Sequence, residues 1–195
     1  MHWVCDKSSD EPCVWVQWLR FMSNSTFYFA YGSNMAVERI QARVAGAQAL
    51  GMAVLAGYRL AFHKINRADG SGKCDVQRST EPGDAVYGAL YRVSEDDLLV
   101  LDGFEGRGYA YERSDHLVTD AHGQMHTACI YVALDIDPTV KPFSWYKEHV
   151  LRGAVANVLP AHYLAMIQAV DSHDDPDAER HARELAIYGR LLDES

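Results

Sequence analysis

The sequence contains no apolar run close to the roughly 18 residues needed to cross a lipid bilayer. Positive charge is also scarce, since 18 lysines and arginines stand against 27 aspartates and glutamates, for a formal net charge of −9. No basic stripe with interleaved aromatic residues occurs, and such a charge balance disfavours contact with a phosphate backbone. The sequence therefore argues against a membrane protein and against a nucleic-acid-binding protein.

Paired cysteines and metal-binding histidine patterns are missing as well. The nine histidines show no spacing such as His-Glu-x-x-His, and no Cys-x-x-Cys pair occurs. We expect no metal site and no disulfide scaffold, and free thiols favour a cytoplasmic location. The sequence leaves open whether Cys5 and Cys13 form a single disulfide bond. The four cysteines are Cys5, Cys13, Cys74 and Cys129.

The first 25 residues differ in character from the rest of the chain. They carry three tryptophans among acidic residues but lack the basic start, apolar centre and small-residue cleavage site of a secretory signal. We interpret residues 1–25 as an N-terminal extension and residues 26–195 as one domain, because 48% hydrophobic content suits one compact core. Met22 is a candidate natural start, which mass spectrometry of the native protein would test.

The order of strand-like and helix-like segments indicates the fold class. Strands and helices do not alternate strictly, so we expect an α+β domain with a mixed, strongly curved or barrel-like sheet. Runs rich in aliphatic and aromatic residues predict strands near 26–31, 47–55, 57–63, 73–79, 84–92, 109–119 and 124–134.

Capping residues mark the expected helices. Ser33 and Asn34 are N-cap types before a helix at 36–44, and Ser144 is expected to cap another at 145–157. Ser94 to Asp97 reads as a capping box for a helix that stops near Gly106. Further helices are predicted from Pro160 to Val170 and over 177–192, the last with an apolar face made of Leu185, Ile187, Tyr188, Leu191 and Leu192.

A strand-turn-helix junction at residues 27–35 has the sequence Phe-Tyr-Phe-Ala-Tyr-Gly-Ser-Asn-Met. The first free N–H groups of such a helix, with those of Gly32 and Ser33, point at the mouth of the turn and suit an anion. Gly32 has no Cβ, so a carboxylate or a developing oxyanion can approach the backbone closely. Taken alone, the pattern fits a bare capping turn equally well.

A second motif, Leu-Asp-Gly-Phe-Glu-Gly at residues 101–106, makes the junction more specific. Together the two motifs resemble the γ-glutamylcyclotransferase family, in which a Tyr-Gly-Ser-Asn turn binds the γ-glutamyl group and the glutamate handles the proton. The resemblance spans roughly residues 26–171 and includes 82–91, 146–147 and 153–160. It implies a small mixed barrel flanked by helices.

The resemblance implies an enzyme that releases 5-oxoproline from a γ-glutamyl amino acid or peptide, without a metal or organic cofactor. The substrate's own α-amine attacks its γ-carbonyl, so no acyl-enzyme is needed. Glu105 would act first as base and then as acid, and Leu101 and Phe104 would shield it from water. The expected substrate contacts are Tyr28, Tyr31, Gly32, Ser33, Asn34 and Tyr146.

Several alternatives stay open at this point. The leaving group could instead come from glutathione, a γ-glutamyl-lysine amine or a γ-glutamyl-protected intermediate. A non-catalytic domain that binds γ-glutamyl metabolites or a protein is a different class, although Glu105 argues against it. Arg107 is a hypothetical contact for a leaving-group carboxylate, Tyr111 is an open pocket contact, and Asp102 is expected to be a cap or ion-pair partner. The expected partner is a small γ-glutamyl substrate, and a homodimer is left open.

Overall fold

A computed structural model describes residues 25–189 of the chain. The N-terminal extension, the candidate start at Met22 and the pair Cys5 and Cys13 therefore lie outside the described residues. Within them the predicted fold class is confirmed, because a small barrel-like sheet is flanked by helices.

Within residues 25–189, seven strands form a five-stranded barrel and a separate hairpin. The strands are β1 (Ser25–Ala30), β2 (Gln48–Ala56), β3 (Tyr58–Ile65), β4 (Gly72–Arg78), β5 (Ala85–Ser94), β6 (Tyr111–Asp120) and β7 (Met125–Ala133). The closed barrel has the order β1-β5-β2-β6-β7, and β3 pairs with β4 outside it. Because β1 runs parallel to β7 and antiparallel to β5, the barrel is mixed. β1 thus has a neighbouring strand on each side, and the Gly32 turn follows directly after its carboxyl end.

Five α-helices surround this sheet, and none of the helices between residues 25 and 189 is long and apolar enough to cross a membrane. They are α1 (Val37–Arg43), α2 (Glu95–Glu105), α3 (Ser144–Ala156), α4 (Ala161–Gln168) and α5 (Ala178–Leu185). Short 3₁₀ turns occupy Ser33–Met35 and Ala186–Tyr188.

Both ends of α2 are fixed as the sequence predicts. The Asp97 amide donates to Ser94 Oγ at 3.0 Å, and the Asp97 carboxylate accepts in return from the Ser94 amide at 3.3 Å, which completes the capping box. Gly106 ends the helix in the left-handed region with φ of 61°, where glycine is favoured. Glu105 is therefore the last residue of α2.

Two cap predictions are wrong. Ser33 and Asn34 do not cap α1, because the Met35 amide bonds the Gly32 carbonyl at 3.0 Å and folds both residues into a 3₁₀ turn before α1 begins. Ser144 does not cap α3 but is its first residue, and its hydroxyl donates to Asp174 at 3.0 Å. A tighter turn thus replaces the cap at Ser33 and Asn34, and a tertiary hydrogen bond replaces the cap at Ser144.

The C-terminal helix is shorter than the predicted span 177–192. α5 has no buried residue, and the expected apolar face reaches only partial burial, while Leu191 and Leu192 lie outside the described residues. Polar contacts attach this segment instead, at Glu184–Arg39 (2.9 Å), Tyr188–His149 (2.6 Å) and Arg180–Asp175 (2.5 Å).

Helix α3 packs directly against the 3₁₀ turn that follows β1. A Cβ built at Gly153 would lie 2.5 Å from the Ala36 amide nitrogen and 2.5 Å from Met35 Cβ, so this contact requires glycine. The Met35 carbonyl also accepts hydrogen bonds from Tyr91 at 2.9 Å and from Asn157 at 3.0 Å. The turn is therefore fixed from the barrel and from α3.

Substitution of Gly153 tests this contact. Gly153→Ala should lower the free energy of unfolding by about 1–3 kcal/mol, because the added methyl group overlaps backbone that cannot move away cheaply. Gly103→Ala in α2 is the matched control, since a Cβ there meets nothing within 4 Å. That variant should gain about 0.5 kcal/mol from helix propensity. Urea unfolding of both variants measures the difference, and equal stabilities would refute the close approach.

Candidate active site

A small inner pocket of about 30 Å³ lies where β1, the Gly32 turn and the end of α2 meet. The structure brings all seven sequence-predicted site residues to this pocket, although their catalytic roles stay predictions. Its lining consists of Tyr28, Tyr31, Gly32, Ser33, Asn34, Cys74, Glu105, Tyr111, Tyr131 and Tyr146.

The Glu105 carboxylate is held by two polar partners. Asn34 Nδ2 donates to Oε1 at 3.0 Å, and Arg43 donates to the same oxygen at 2.8 Å. Among the described residues Oε2 has no hydrogen-bond donor, so it is available to a guest. Leu101 packs in the core, whereas Phe104 is 56% exposed and lines the outer face of the site together with Glu105, so their shielding of the carboxylate from water stays a prediction.

Asn34 connects this carboxylate to the barrel. Its Nδ2 group also bonds the hydroxyl of Tyr28 at 3.0 Å. A carboxylate oxygen only accepts, which fixes the orientation of the Asn34 amide and places Oδ1 on the other side. Oδ1 is buried and has no donor within residues 25–189. An unsatisfied buried acceptor is costly, so this oxygen suits a donor supplied by a ligand.

The turn offers donors to the same pocket. Within the described chain, no acceptor engages the amide N–H groups of Gly32, Ser33 or Asn34. The backbone is closely surrounded here, since a Cβ at Gly32 would lie 3.0 Å from Cys74 Cβ and 3.2 Å from the Tyr146 hydroxyl. Unpaired amides in a partly closed pocket can stabilise negative charge on a bound group.

Cys74 organises the pocket wall through its backbone rather than its thiol. Its amide donates to the Tyr146 hydroxyl at 3.0 Å, and its carbonyl accepts from Tyr111 at 2.8 Å. Burial raises the pKa of the Cys74 thiol to about 12, so it stays protonated and is a poor nucleophile. Burial likewise raises the pKa of the surrounding phenols, which remain neutral donors: Tyr28, Tyr31, Tyr111 and Tyr146.

The described residues do not provide an evident metal site. No three His, Cys, Asp or Glu side chains among them cluster closely enough to hold an ion. The other described cysteine, Cys129, is buried, and burial raises the pKa of its thiol to about 12 as well.

An outer cavity of about 620 Å³ adjoins the inner pocket and shares Ser33, Glu105, Tyr111 and Tyr146 with it. Its wall is rich in positive charge, which the sequence reasoning missed. Arg39 and Arg43 are four residues apart on α1 and so share one helix face. This spacing in the sequence indicates part of the positive wall. The cations of the wall are Arg39, Arg43, Lys64, Arg67, Lys73 and Arg180.

Comparison with known proteins now identifies the family. The chain is 30% identical over 155 residues to human γ-glutamylcyclotransferase, an alignment that covers 77% of this chain and 81% of the relative. It is also 30% identical over 162 residues to the bovine γ-glutamylcyclotransferase, with coverage of 80% and 85%. The chain belongs to the γ-glutamylcyclotransferase family. The profile of the AIG2-like family matches residues 85–167.

A solved structure of a γ-glutamyl cyclotransferase supports the family assignment. It superimposes with a TM-score of 0.75 at 27% identity, covering 85% of this chain and 99% of its own.

The structure does not support the hypothesis that Arg107 contacts a carboxylate of the leaving group. Its guanidinium bonds Asp102 at 3.1 Å and Glu112 at 3.4 Å, and it lies outside the lining of both cavities. Asp102 is an ion-pair partner as expected, since Arg113 also contacts it at 3.1 Å. Tyr111, in contrast, lines both cavities, whereas Arg107 lines neither.

Gly32→Ala tests the backbone donors of the Gly32 turn. Gly32 has φ of −116° and so does not lie in the left-handed region, and we expect the effect to come mainly from the space that the methyl group takes. The methyl group would press on Cys74 and Tyr146 and displace the donors by a few tenths of an ångström. We expect kcat/KM for γ-glutamyl peptides to fall roughly 10- to 100-fold while the melting temperature changes little. Unchanged kcat/KM would remove the turn from the substrate site.

Proposed function

We propose that the protein is a γ-glutamylcyclotransferase that converts a γ-glutamyl amino acid or peptide to 5-oxoproline and a free amine. The observation that carries the proposal is the meeting of three groups at one pocket. They are the open Oε2 of Glu105, the unpaired Oδ1 of Asn34 and the free amides of the Gly32 turn. The cytoplasmic location and the small γ-glutamyl partner expected from the sequence belong to the same proposal.

The first step requires loss of a proton from the substrate's α-ammonium group. Glu105 Oε2 and Asn34 Oδ1 are both acceptors without a donor among the described residues, and we expect the ammonium group to donate to both. Arg43 and Asn34 hold the other carboxylate oxygen, so the carboxylate cannot rotate away. Glu105 takes the proton, and the neutral amine then attacks the γ-carbonyl carbon to close a five-membered ring.

Ring closure moves negative charge onto the γ-carbonyl oxygen. In this proposal the amides of residues 32–34 donate to that oxygen, and their lack of another acceptor among the described residues supports this role. Protonated Glu105 then gives its proton to the leaving nitrogen, and the ionised carboxylate takes the second proton from the ring nitrogen, so that the C–N bond breaks as the carbonyl re-forms. Glu105 passes this second proton to the released amine. The products are 5-oxoproline and a protonated amine, and Glu105 is again ionised.

The sizes of the two cavities divide the substrate between them. The inner pocket has room for about one water-sized group, such as a carboxylate or carbonyl oxygen. The leaving group must then extend into the outer cavity, whose volume of about 620 Å³ accommodates an amino acid or a short peptide. Substrate choice is accordingly decided by the outer wall.

Glu105→Gln tests the proposal. The amide is nearly isosteric but cannot accept and return a proton, so 5-oxoproline formation should fall about 10²- to 10⁴-fold. The assay incubates purified protein with γ-glutamyl-alanine, glutathione and a γ-glutamyl amine and measures 5-oxoproline by mass spectrometry. Glu112→Gln is the matched control, because Glu112 is exposed and pairs with Arg107 outside both cavities.

Product from the wild type and from Glu112→Gln, with little from Glu105→Gln, is the expected result. Absence of product from all three compounds with the wild-type protein would contradict the proposed activity. Full activity of Glu105→Gln would leave the activity standing and assign the proton transfer to another group.

A further inference from the structure

Lys64 differs from the other cations of the outer cavity. It is only 7% exposed, it lines the cavity, and no carboxylate within residues 25–189 lies within ion-pair distance of its ammonium group. Each of the other five cations has an acidic partner: Arg39–Glu184 (2.9 Å), Arg43–Glu105 (2.8 Å), Arg67–Asp135 (2.6 Å), Lys73–Asp69 (3.3 Å) and Arg180–Asp175 (2.5 Å).

The hairpin outside the barrel holds Lys64 in this position. Lys64 lies on β3 opposite Lys73, directly after a register shift that begins at Ala61. Its ammonium group lies 5.1 Å from the ring centre of Tyr111, a residue shared by both cavities. A cation–π contact of this kind orients a cation but neutralises no charge.

Burial of an ammonium group without a counterion is unfavourable. Burial lowers the pKa of Lys64, and only the more distant charges of Glu105, Asp135 and Asp69 oppose that shift. A carboxylate brought in by a ligand would satisfy the ammonium group and would bind more strongly than it does in water. The wall of the outer cavity therefore contains one buried positive charge without a counterion, and an anionic group of a ligand would supply that counterion.

We propose that Lys64 binds the carboxylate of the leaving group and so selects γ-glutamyl amino acids and peptides over uncharged γ-glutamyl amines. This inference rests on the proposed function and assigns to Lys64 the role that the sequence suggested for Arg107. Lys64 belongs to the outer cavity and not to the inner pocket. The turn amides, Asn34 and Glu105 anchor the γ-glutamyl group at the inner pocket, so we expect the leaving group to extend farther into the outer cavity, where Lys64 lies.

A matched pair of substrates isolates this contact. γ-Glutamyl-alanine carries the carboxylate, and γ-glutamyl-alaninamide has the same shape without the charge. Wild-type protein should favour the acid in kcat/KM by roughly 10- to 100-fold, the range of a hydrogen bond to a charged group. Lys64→Met keeps the length of the side chain and removes the charge, and it should reduce the preference to about one. Lys64→Arg should restore part of it.

Arg67→Gln is the charge-matched control. It removes one positive charge from the same cavity, but its guanidinium is already paired with Asp135. We expect this variant to keep the preference for the acid, which separates a direct contact from a general field. Lys64→Gln provides a second neutral variant if Lys64→Met proves unstable in thermal unfolding.

The outcomes distinguish this inference from the proposed activity. If the wild-type protein forms 5-oxoproline from both peptides equally well, or if neutral variants at Lys64 lower both rates by the same factor, the inference is wrong and the activity stands. If the wild-type protein forms no 5-oxoproline from either peptide, both proposals fail together. If Arg67→Gln also loses the preference for the acid, the preference comes from the general positive field of the cavity and the inferred contact of Lys64 is wrong.

Discussion

The site depends on one interaction, in which Arg43 and Asn34 both bond Oε1 of Glu105. Glu105 ends α2, Asn34 lies in the turn after β1, and Arg43 lies on the last turn of α1, so the contact joins three separate elements. It leaves Glu105 Oε2 and Asn34 Oδ1 without a donor among the described residues, and both residues line one pocket with the Gly32 turn. Without it, a glutamate at a helix end beside a glycine turn would be free to move into solvent.

The barrel and its helices serve to fix that interaction. β1 pairs with β5 along its whole length and with β7 at Phe27 and Tyr28, so the turn leaves the sheet from a strand with a neighbour on each side. Gly153 allows α3 to approach the backbone of Met35 and Ala36. Gly106 ends α2 directly after Glu105, so the carboxylate lies at the end of the helix, where Glu105 lines the pocket. Precise placement of the reacting groups is therefore a property of the fold rather than of the loop sequence.

Local signals made much of this predictable from the sequence. The strands, the capping box at Ser94 and the stop at Gly106 all follow from short-range patterns, and the two motifs indicate the family. Long-range contacts were less accessible: the partners of Glu105 proved polar rather than apolar, and Lys64 lies on a hairpin distant from either motif. The cap assignments at Ser33 and Asn34 were wrong because cap preference takes no account of a competing 3₁₀ turn.

The most direct test is a crystal structure of the Glu105→Gln variant with γ-glutamyl-alanine bound. The account predicts that an oxygen of the γ-glutamyl group accepts hydrogen bonds from the amides of residues 32–34, with its ammonium group beside residue 105 and Asn34 Oδ1. The alanine part should extend into the outer cavity. A ligand bound with its γ-glutamyl group away from the Gly32 turn, or with the turn and residue 105 contacting different molecules, would contradict the central claim.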